Sequence, residues 1–357
     1  MSKLFQPIVF KSGLSMKNRF VLAPLTNTQS HADGVLSENE YRWLTMRAEG
    51  GFGLTMTCAA HIQAVGQGFP GQLGIFGDQH LEGLTKLANG IKNANSLAVV
   101  QLHHAGMRSP TDLIGQSPVC PSEHAGTGAV ALSIKAVEQL IEDFICAAER
   151  AEKAGFEGVE IHGAHGYILA QFLSATVNQR QDQFGGSIEN RMRPITEIID
   201  GIRTRCRKNF LLGLRLSPER FDVHLPDIIE VAHSVLSDGK IDFLDMSLWD
   251  SFKEPEDKAF KGRTLLSYFS ELDRGNVALG VAGNLRSPDE VRQAMEADID
   301  FIMLGRAAIL HHDFPLQMEA NSDFIPAKNP VSVDYLRAEG LGEAFITYMS
   351  GWKGFVG

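Results

Sequence analysis

A (β/α)8 TIM barrel is the fold class this sequence predicts, and three observations carry it. Short apolar, β-branched runs recur eight times along the 357 residues, at 21–24, 53–57, 98–102, 158–162, 211–216, 243–247, 277–281 and 301–305. Near-continuous apolar runs of that length are the mark of strands buried on both faces of a parallel sheet. Helical segments separate them, and strand–helix alternation repeated eight times closes into a barrel. The third observation is where the surplus lies: a barrel takes about 250 residues, leaving roughly a hundred. Three long loops that draw on Gly, Pro and Ser, 103–132, 163–190 (which has no Pro) and 248–266, each follow a strand, on the side where barrels carry their chemistry.

In chain order, residues 5–17 read as an N-terminal β-hairpin closing the barrel bottom. The first strand ends in Pro24-Leu25-Thr26. Ser37-x-x-Glu40 is a capping box, as is Ser287-Pro288-x-Glu290 with proline at the first helical position. Period-3.6 patterning is clearest at 135–154 (Val137, Leu140, Ile141, Phe144, Ile145, Ala148) and 194–206 (Ile195, Ile198, Ile199, Ile202). Residues 314–357 form a tail rich in aromatics. No composition break divides the chain, so 1–357 is expected to be a single domain.

Composition narrows the function classes. A hydrophobic content of 44% suits a globular protein, and a formal charge of −10 argues against a nucleic-acid partner, which requires clustered Lys and Arg. No apolar stretch reaches the roughly 18 residues of a spanning helix and no secretory cleavage pattern is present, so a cytoplasmic location and no membrane partner are expected. Cys58, Cys120, Cys146 and Cys206 form no C-x-x-C pair and read as small buried hydrophobes; no metal cassette is expected.

One end of a site follows from fold physics. Barrels commonly hold a phosphate at the loops after strands seven and eight; here these begin Ala282-Gly283-Asn284 and Leu304-Gly305-Arg306. Two glycines that admit backbone N–H groups, and a guanidinium whose fork suits phosphate, point to a phosphorylated ligand. Arg215, at the end of strand five, needs a buried anion: either a ligand or a core carboxylate such as Glu160 or Asp245. Gly66-Gln67-Gly68-Phe69-Pro70-Gly71 satisfies the dinucleotide fingerprint, but a loop precedes it, Pro70 interrupts it and position 91 is Ile, so it reads as coincidence.

The most informative stretch is Ile161-His162-Gly163-Ala164-His165-Gly166-Tyr167, running through Gln171-Phe172-Leu173-Ser174 to Asn178, Arg180, Asp182, Gly185-Gly186-Ser187 and Glu189-Asn190-Arg191. A buried strand ending in two imidazoles and a phenol presents hydrogen-bond donors and a proton at the catalytic edge of a barrel. This pattern resembles the old yellow enzyme family of FMN-dependent NAD(P)H oxidoreductases, the ene-reductases.

The resemblance implies non-covalent FMN, with Gly283, Gly305 and Arg306 on its phosphate, Pro24, Leu25 and Thr26 beside the ring, and Thr26 bonded to O4. It further implies a small residue, Ala59, under the ring, Gln101 at the pyrimidine edge, and Arg215 beside N1 and O2. By the same resemblance NADPH or NADH reduces the flavin, and the partner is a small electrophilic alkene that takes hydride in a second step of a ping-pong cycle. His162 and His165 would meet the developing oxyanion and Tyr167 would protonate the α carbon. Tails cross to a neighbouring subunit in some relatives, so Arg337 and 351–357 make a homo-oligomer one of the expectations. The Asn178–Arg191 stretch is expected to pin the fourth loop and start a helix near Ser187.

Thr26 combined with two histidines mixes features of the classical and thermophilic-like branches of the family. Thr28 and His103 stand where members carry bulky aromatics, leaving Phe69, Trp249, Tyr348 or Trp352 to cap the pocket. Two other function classes compete. A metal-dependent TIM-barrel hydrolase or lyase would use the strand-end histidines His103, His104, His162 and His165; it lacks the His-x-His usual on strand one and leaves Gly283, Gly305 and Arg306 without a role. A flavin-binding sensor would not need the histidine pair or Tyr167.

Overall fold

The computed structural model describes residues 3–357, and its centre is a closed barrel of parallel strands. In chain order these are β1 (Phe20–Leu22), β2 (Leu54–His61), β3 (Leu97–His103), β4 (Gly158–Gly163), β5 (Leu211–Leu216), β6 (Phe243–Ser247), β7 (Ala278–Ala282) and β8 (Phe301–Leu304). Every expected strand is present, and β8 pairs with β1 through Ile302 and Phe20 to close the ring. β2 continues to His61 rather than ending at 57, because a bulge between Met56 and Ala59 re-aims the chain without breaking its pairing to β3.

Outside lie α1 (Glu38–Glu49), α2 (Leu81–Asn93), α3 (Ile134–Lys153), α4 (Ile188–Arg205), α5 (Leu225–Asp238), α6 (Leu265–Ser270), α7 (Pro288–Ala294) and α8 (Arg306–Leu310). Their apolar stripes face the strands: Val137, Leu140, Phe144 and Ala148 of α3 and Ile195, Ile198 and Ile202 of α4 are all buried. α4 starts at the Ser187 cap, ahead of Pro194, which sits buried inside the helix. The reciprocal box at Ser287 and Glu290 is formed. That at Ser37 is only half formed. Ser37 accepts the Glu40 N–H at 3.2 Å, but the Glu40 carboxylate turns into the core, accepting from Asn27 at 3.0 Å and from Ser30. It thereby ties down the chain that leaves β1. Cys58, Cys120 and Cys206 are buried as expected; Cys146 is half-buried beside Glu142.

The bottom is sealed as the hairpin predicts. Ile8–Val9 pairs antiparallel with Ser15–Met16, and Phe10 packs 6.0 Å from Phe243 and 6.4 Å from Phe301, ring centre to ring centre. Gly213 and Gly280 face those two rings so closely that a Cβ would overlap them. Aromatic rings and glycines thus fill the lower barrel. No helix among the described residues is long and apolar enough to cross a membrane.

Candidate active site

At the opposite, upper end a cavity of about 500 Å3 opens. All twelve expected site residues line it: Pro24, Leu25, Thr26, Ala59, Gln101, His162, His165, Tyr167, Arg215, Gly283, Gly305 and Arg306. Strand register explains the convergence. Ala59 lies beside Gln101 and Gln101 beside Glu160; one layer higher, His162 pairs with Arg215 and Arg215 with Asp245. Period-two alternation in parallel strands turns each of these polar positions inward.

The floor is an array of buried polar groups. Gln101 Nε2 donates to Glu160 Oε1 at 2.7 Å. Arg215 Nε lies 2.9 Å from Asp245 Oδ2, and Arg215 Nη2 donates to Ser247 Oγ at 3.3 Å. The core ion pair with Asp245 is therefore formed, yet the guanidinium also faces the cavity. The pair is close in charge but poorly aligned: Arg215 Nε, both Asp245 oxygens and Glu160 Oε2 have no aligned hydrogen-bond partner. Burial raises the Glu160 carboxyl, and the nearby Asp245 charge raises it further; burial raises Asp245 against the pull of Arg215.

Above the floor, His165 Nδ1 is 3.2 Å from His162 Nε2, and His165 Nε2 is 2.8 Å from Ser247 Oγ. The Ala164 N–H donates to His162 Nδ1 at 3.2 Å, so the network assigns the protons to His162 Nε2 and His165 Nε2. Burial holds both imidazoles neutral, with Arg215 adding to the effect at each. His165 itself adopts a left-handed backbone, φ 59°. Tyr167 caps the short helix Ile168–Leu173; its ring stands edge-on to His103 at 4.3 Å and to His162 at 5.1 Å. Its hydroxyl has no hydrogen bond among the described residues, and burial raises the phenol pKa.

The far end fits a phosphate. Arg306 Nη2 donates to the neutral Asn284 amide oxygen at 2.8 Å rather than pairing with a carboxylate, which leaves its charge available. Gly283 lies so close to the next loop that a Cβ would stand 2.5 Å from Ser251 Oγ, itself buried without a partner, and Gly305 brings β8 up to Leu25. A cradle of two glycines and a guanidinium, with unaligned buried polar groups at the other end, fits a ligand with a phosphate and a delocalised ring such as FMN.

Phe69, Trp249, Tyr348 and Trp352, the aromatics offered as alternative caps, all line the cavity. Sequence reasoning missed Arg108, Arg220, Phe221 and Arg286, which come from loops whose lengths, rather than any periodic signal, bring them to the cavity. A hint was available in aromatics next to Arg on loops following strands. His103 lies buried behind Tyr167 and outside the lining, with both ring nitrogens unpartnered. Residues 64–71 run as a turn and loop with no helix opening after them, so the glycine fingerprint lacks its structural context. Among the described residues no group of three or more His, Cys, Asp or Glu side chains could hold a metal.

The family description that matches, over residues 3–323, is "NADH:flavin oxidoreductase / NADH oxidase family". A probable NADH-dependent flavin oxidoreductase of Bacillus subtilis, YqiG, is 35% identical over 88% of this chain and 87% of its own length. An NADH:acrylate oxidoreductase of Vibrio harveyi is 31% identical over 87% of this chain, which spans only 32% of that protein. The crystal structure of the old yellow enzyme homologue of Zymomonas mobilis superimposes with a TM-score of 0.81 at 27% identity, covering 94% of this chain and 96% of that one.

Proposed function

The chain belongs to the NADH:flavin oxidoreductase / NADH oxidase family, and from that premise we propose that it is an FMN-dependent ene-reductase working as one domain. The substrates would be alkenes activated by a carbonyl or nitro group. Overall, one NAD(P)H and one proton add two hydrogens across the C=C bond and NAD(P)+ is released. Bound FMN supplies the chemistry of accepting and passing on a hydride through N5.

The protein's own part is charge management. Hydride arriving at the β carbon puts negative charge on the substrate oxygen, which preorganised N–H donors must meet. His162 and His165 offer neutral imidazole donors above the floor of the cavity, the His165 N–H by giving up its bond to Ser247 Oγ. Their mutual 3.2 Å contact is a weak bond that an incoming oxyanion replaces. Tyr167, with a hydroxyl not committed elsewhere, protonates the α carbon. Arg215 would meet the charge that collects on the cofactor ring, while Gly283, Gly305 and Arg306 would hold its phosphate.

The observation that carries the reading is the convergence of all twelve residues on one cavity at the catalytic end of the barrel. An anaerobic absorbance titration tests it. A flavin spectrum that bleaches with NADPH and returns with 2-cyclohexenone is the expected result; a protein that stays colourless when FMN is supplied overturns it.

A further inference from the structure

The charged side chains that line the cavity are all cationic, in a chain with a formal charge of −10. Five arginines line it, Arg108, Arg215, Arg220, Arg286 and Arg306, and no Asp or Glu does. Two have work under the reading above, Arg215 at the ring and Arg306 at the phosphate; Arg286 stands beside Arg306, its Nε 2.9 Å from the same Asn284 Oδ1. Arg108 and Arg220 belong to the other end. Arg108 lies 4.8 Å from the centre of the Tyr167 ring and 5.8 Å from that of Phe221. Arg220 stands 5.7 Å from the same Phe221 and 4.3 Å from Trp249.

Neither cation is properly neutralised. Arg108 donates to the His165 carbonyl and has no carboxylate partner among the described residues. Arg220 has only the exposed Glu256, 3.9 Å from its Nε, a separation and exposure worth little. A substrate that fills the mouth strips water from both guanidinium groups, and a neutral enone returns nothing for that desolvation. A carboxylate does, through charge-assisted and bidentate hydrogen bonds.

We propose that Arg108 and Arg220 form an anion-binding end of the substrate pocket, and that the acceptors this protein prefers are activated alkenes bearing a carboxylate. The proposal rests on the ene-reductase reading for the kind of acceptor, but its test does not depend on turnover. The probes are 3-oxocyclohex-1-ene-1-carboxylate and its carboxamide, alike in shape and different in charge. Their dissociation constants with the oxidised FMN holoenzyme are measured by calorimetry.

The carboxylate should bind at least about tenfold more tightly at low ionic strength, and the advantage should shrink at about 0.5 M salt. Arg108→Gln should bring the ratio close to one and Arg220→Gln should lower it severalfold. Taking the ratio within each variant cancels any general change in pocket shape. Equal binding of the two probes, or a ratio unchanged in both variants, overturns the proposal. So does an intact ratio accompanied by weaker binding of a tetrahydro-nicotinamide dinucleotide, which would assign the cations to the reductant's diphosphate. Failure of 2-cyclohexenone turnover, scored separately, sinks the ene-reductase reading and leaves the ratio standing.

Discussion

At the scale of single residues, the two halves of the proposed cycle ask different things of the same pocket. Tyr167 is needed only where a carbon must be protonated. Tyr167→Phe should slow reoxidation by an enone by about 10²-fold or more, within the range for losing a positioned general acid. Flavin reduction by NADPH should keep most of its rate in the same variant. Stopped-flow absorbance separates the steps, and equal slowing of both would remove the assigned role. His162 acts through its N–H, so His162→Ala should weaken phenol ligands that mimic the oxyanion by about 1.5–3 kcal/mol, the worth of a hydrogen bond to a charged group. A calorimetric titration that finds unchanged affinity would relocate the oxyanion site to other donors. The sequence exposed these residues because the chemistry is local. Two imidazoles and a phenol within 162–167, directly after an apolar run, place themselves. Glu160 and Asp245 were legible as inward charges on strands, but their mutual influence depends on a register that only the folded barrel sets.

At the scale of elements, the loops carry the cost of shaping the mouth. Arg220, Phe221 and Asp222 are three successive non-glycine residues with left-handed backbone, and Trp249 and Asn284 add two more at the same rim. Such a conformation costs an L-residue about 1–2 kcal/mol. Asp222 is exposed and its carbonyl accepts from Ser174, so glycine there keeps the bond and removes the strain. Asp222→Gly should stabilise the protein by up to about 1 kcal/mol after the added unfolded-state entropy is subtracted. Urea denaturation checks it; a loss of stability would mean that the Asp222 side chain holds the turn. Gly283→Ala should act in the opposite sense. Its Cβ would lie 2.7 Å from the Ser251 backbone nitrogen, and moving that loop should cost the FMN site about 1–3 kcal/mol of affinity, read as flavin fluorescence released on dilution. The strands were legible because burial on both faces writes itself as an uninterrupted apolar run. The rim was not, since neither Arg108 nor the 220–222 turn repeats at any period. The half-formed box at Ser37 shows the same limit: spacing gave the N-cap, but a competing partner, the segment leaving β1, took the Glu40 carboxylate.

At the scale of the whole molecule, the barrel has to keep two carboxyl groups in its interior whether or not a cofactor covers them, and this couples stability to pH. Glu160, pushed up to about 8, holds its proton in the folded state over a range where the unfolded chain, near 4.5, has lost it. Asp245, pushed up to about 6 from 3.8, behaves likewise over a lower range. For both, the folded state binds more protons than the unfolded one, so their contribution is complete below the unfolded values and declines as pH rises through the folded ones. The surface acts with the opposite sign. Asp78, held below its ordinary value by Arg150 and Lys153, contributes above that value and loses its contribution as the solution is acidified. Stability should therefore peak on the acid side of neutrality and fall towards pH 8 and beyond. Replacing the titrating group with its neutral isostere isolates the interior term. Glu160→Gln keeps an acceptor for the Gln101 amide and cannot ionise, so the variant should gain on the parent as pH rises, by about 1–3 kcal/mol between pH 5 and 9. The gain falls short of the full linkage value where Arg215 compensates the buried carboxylate once it ionises. Thermal melts across that range, with FMN held at one saturating concentration so that ligand binding contributes equally, supply the comparison. Curves that stay parallel would mean that Glu160 is ionised in the native protein at neutral pH, compensated by Arg215, and that the barrel interior carries more charge than its burial suggests.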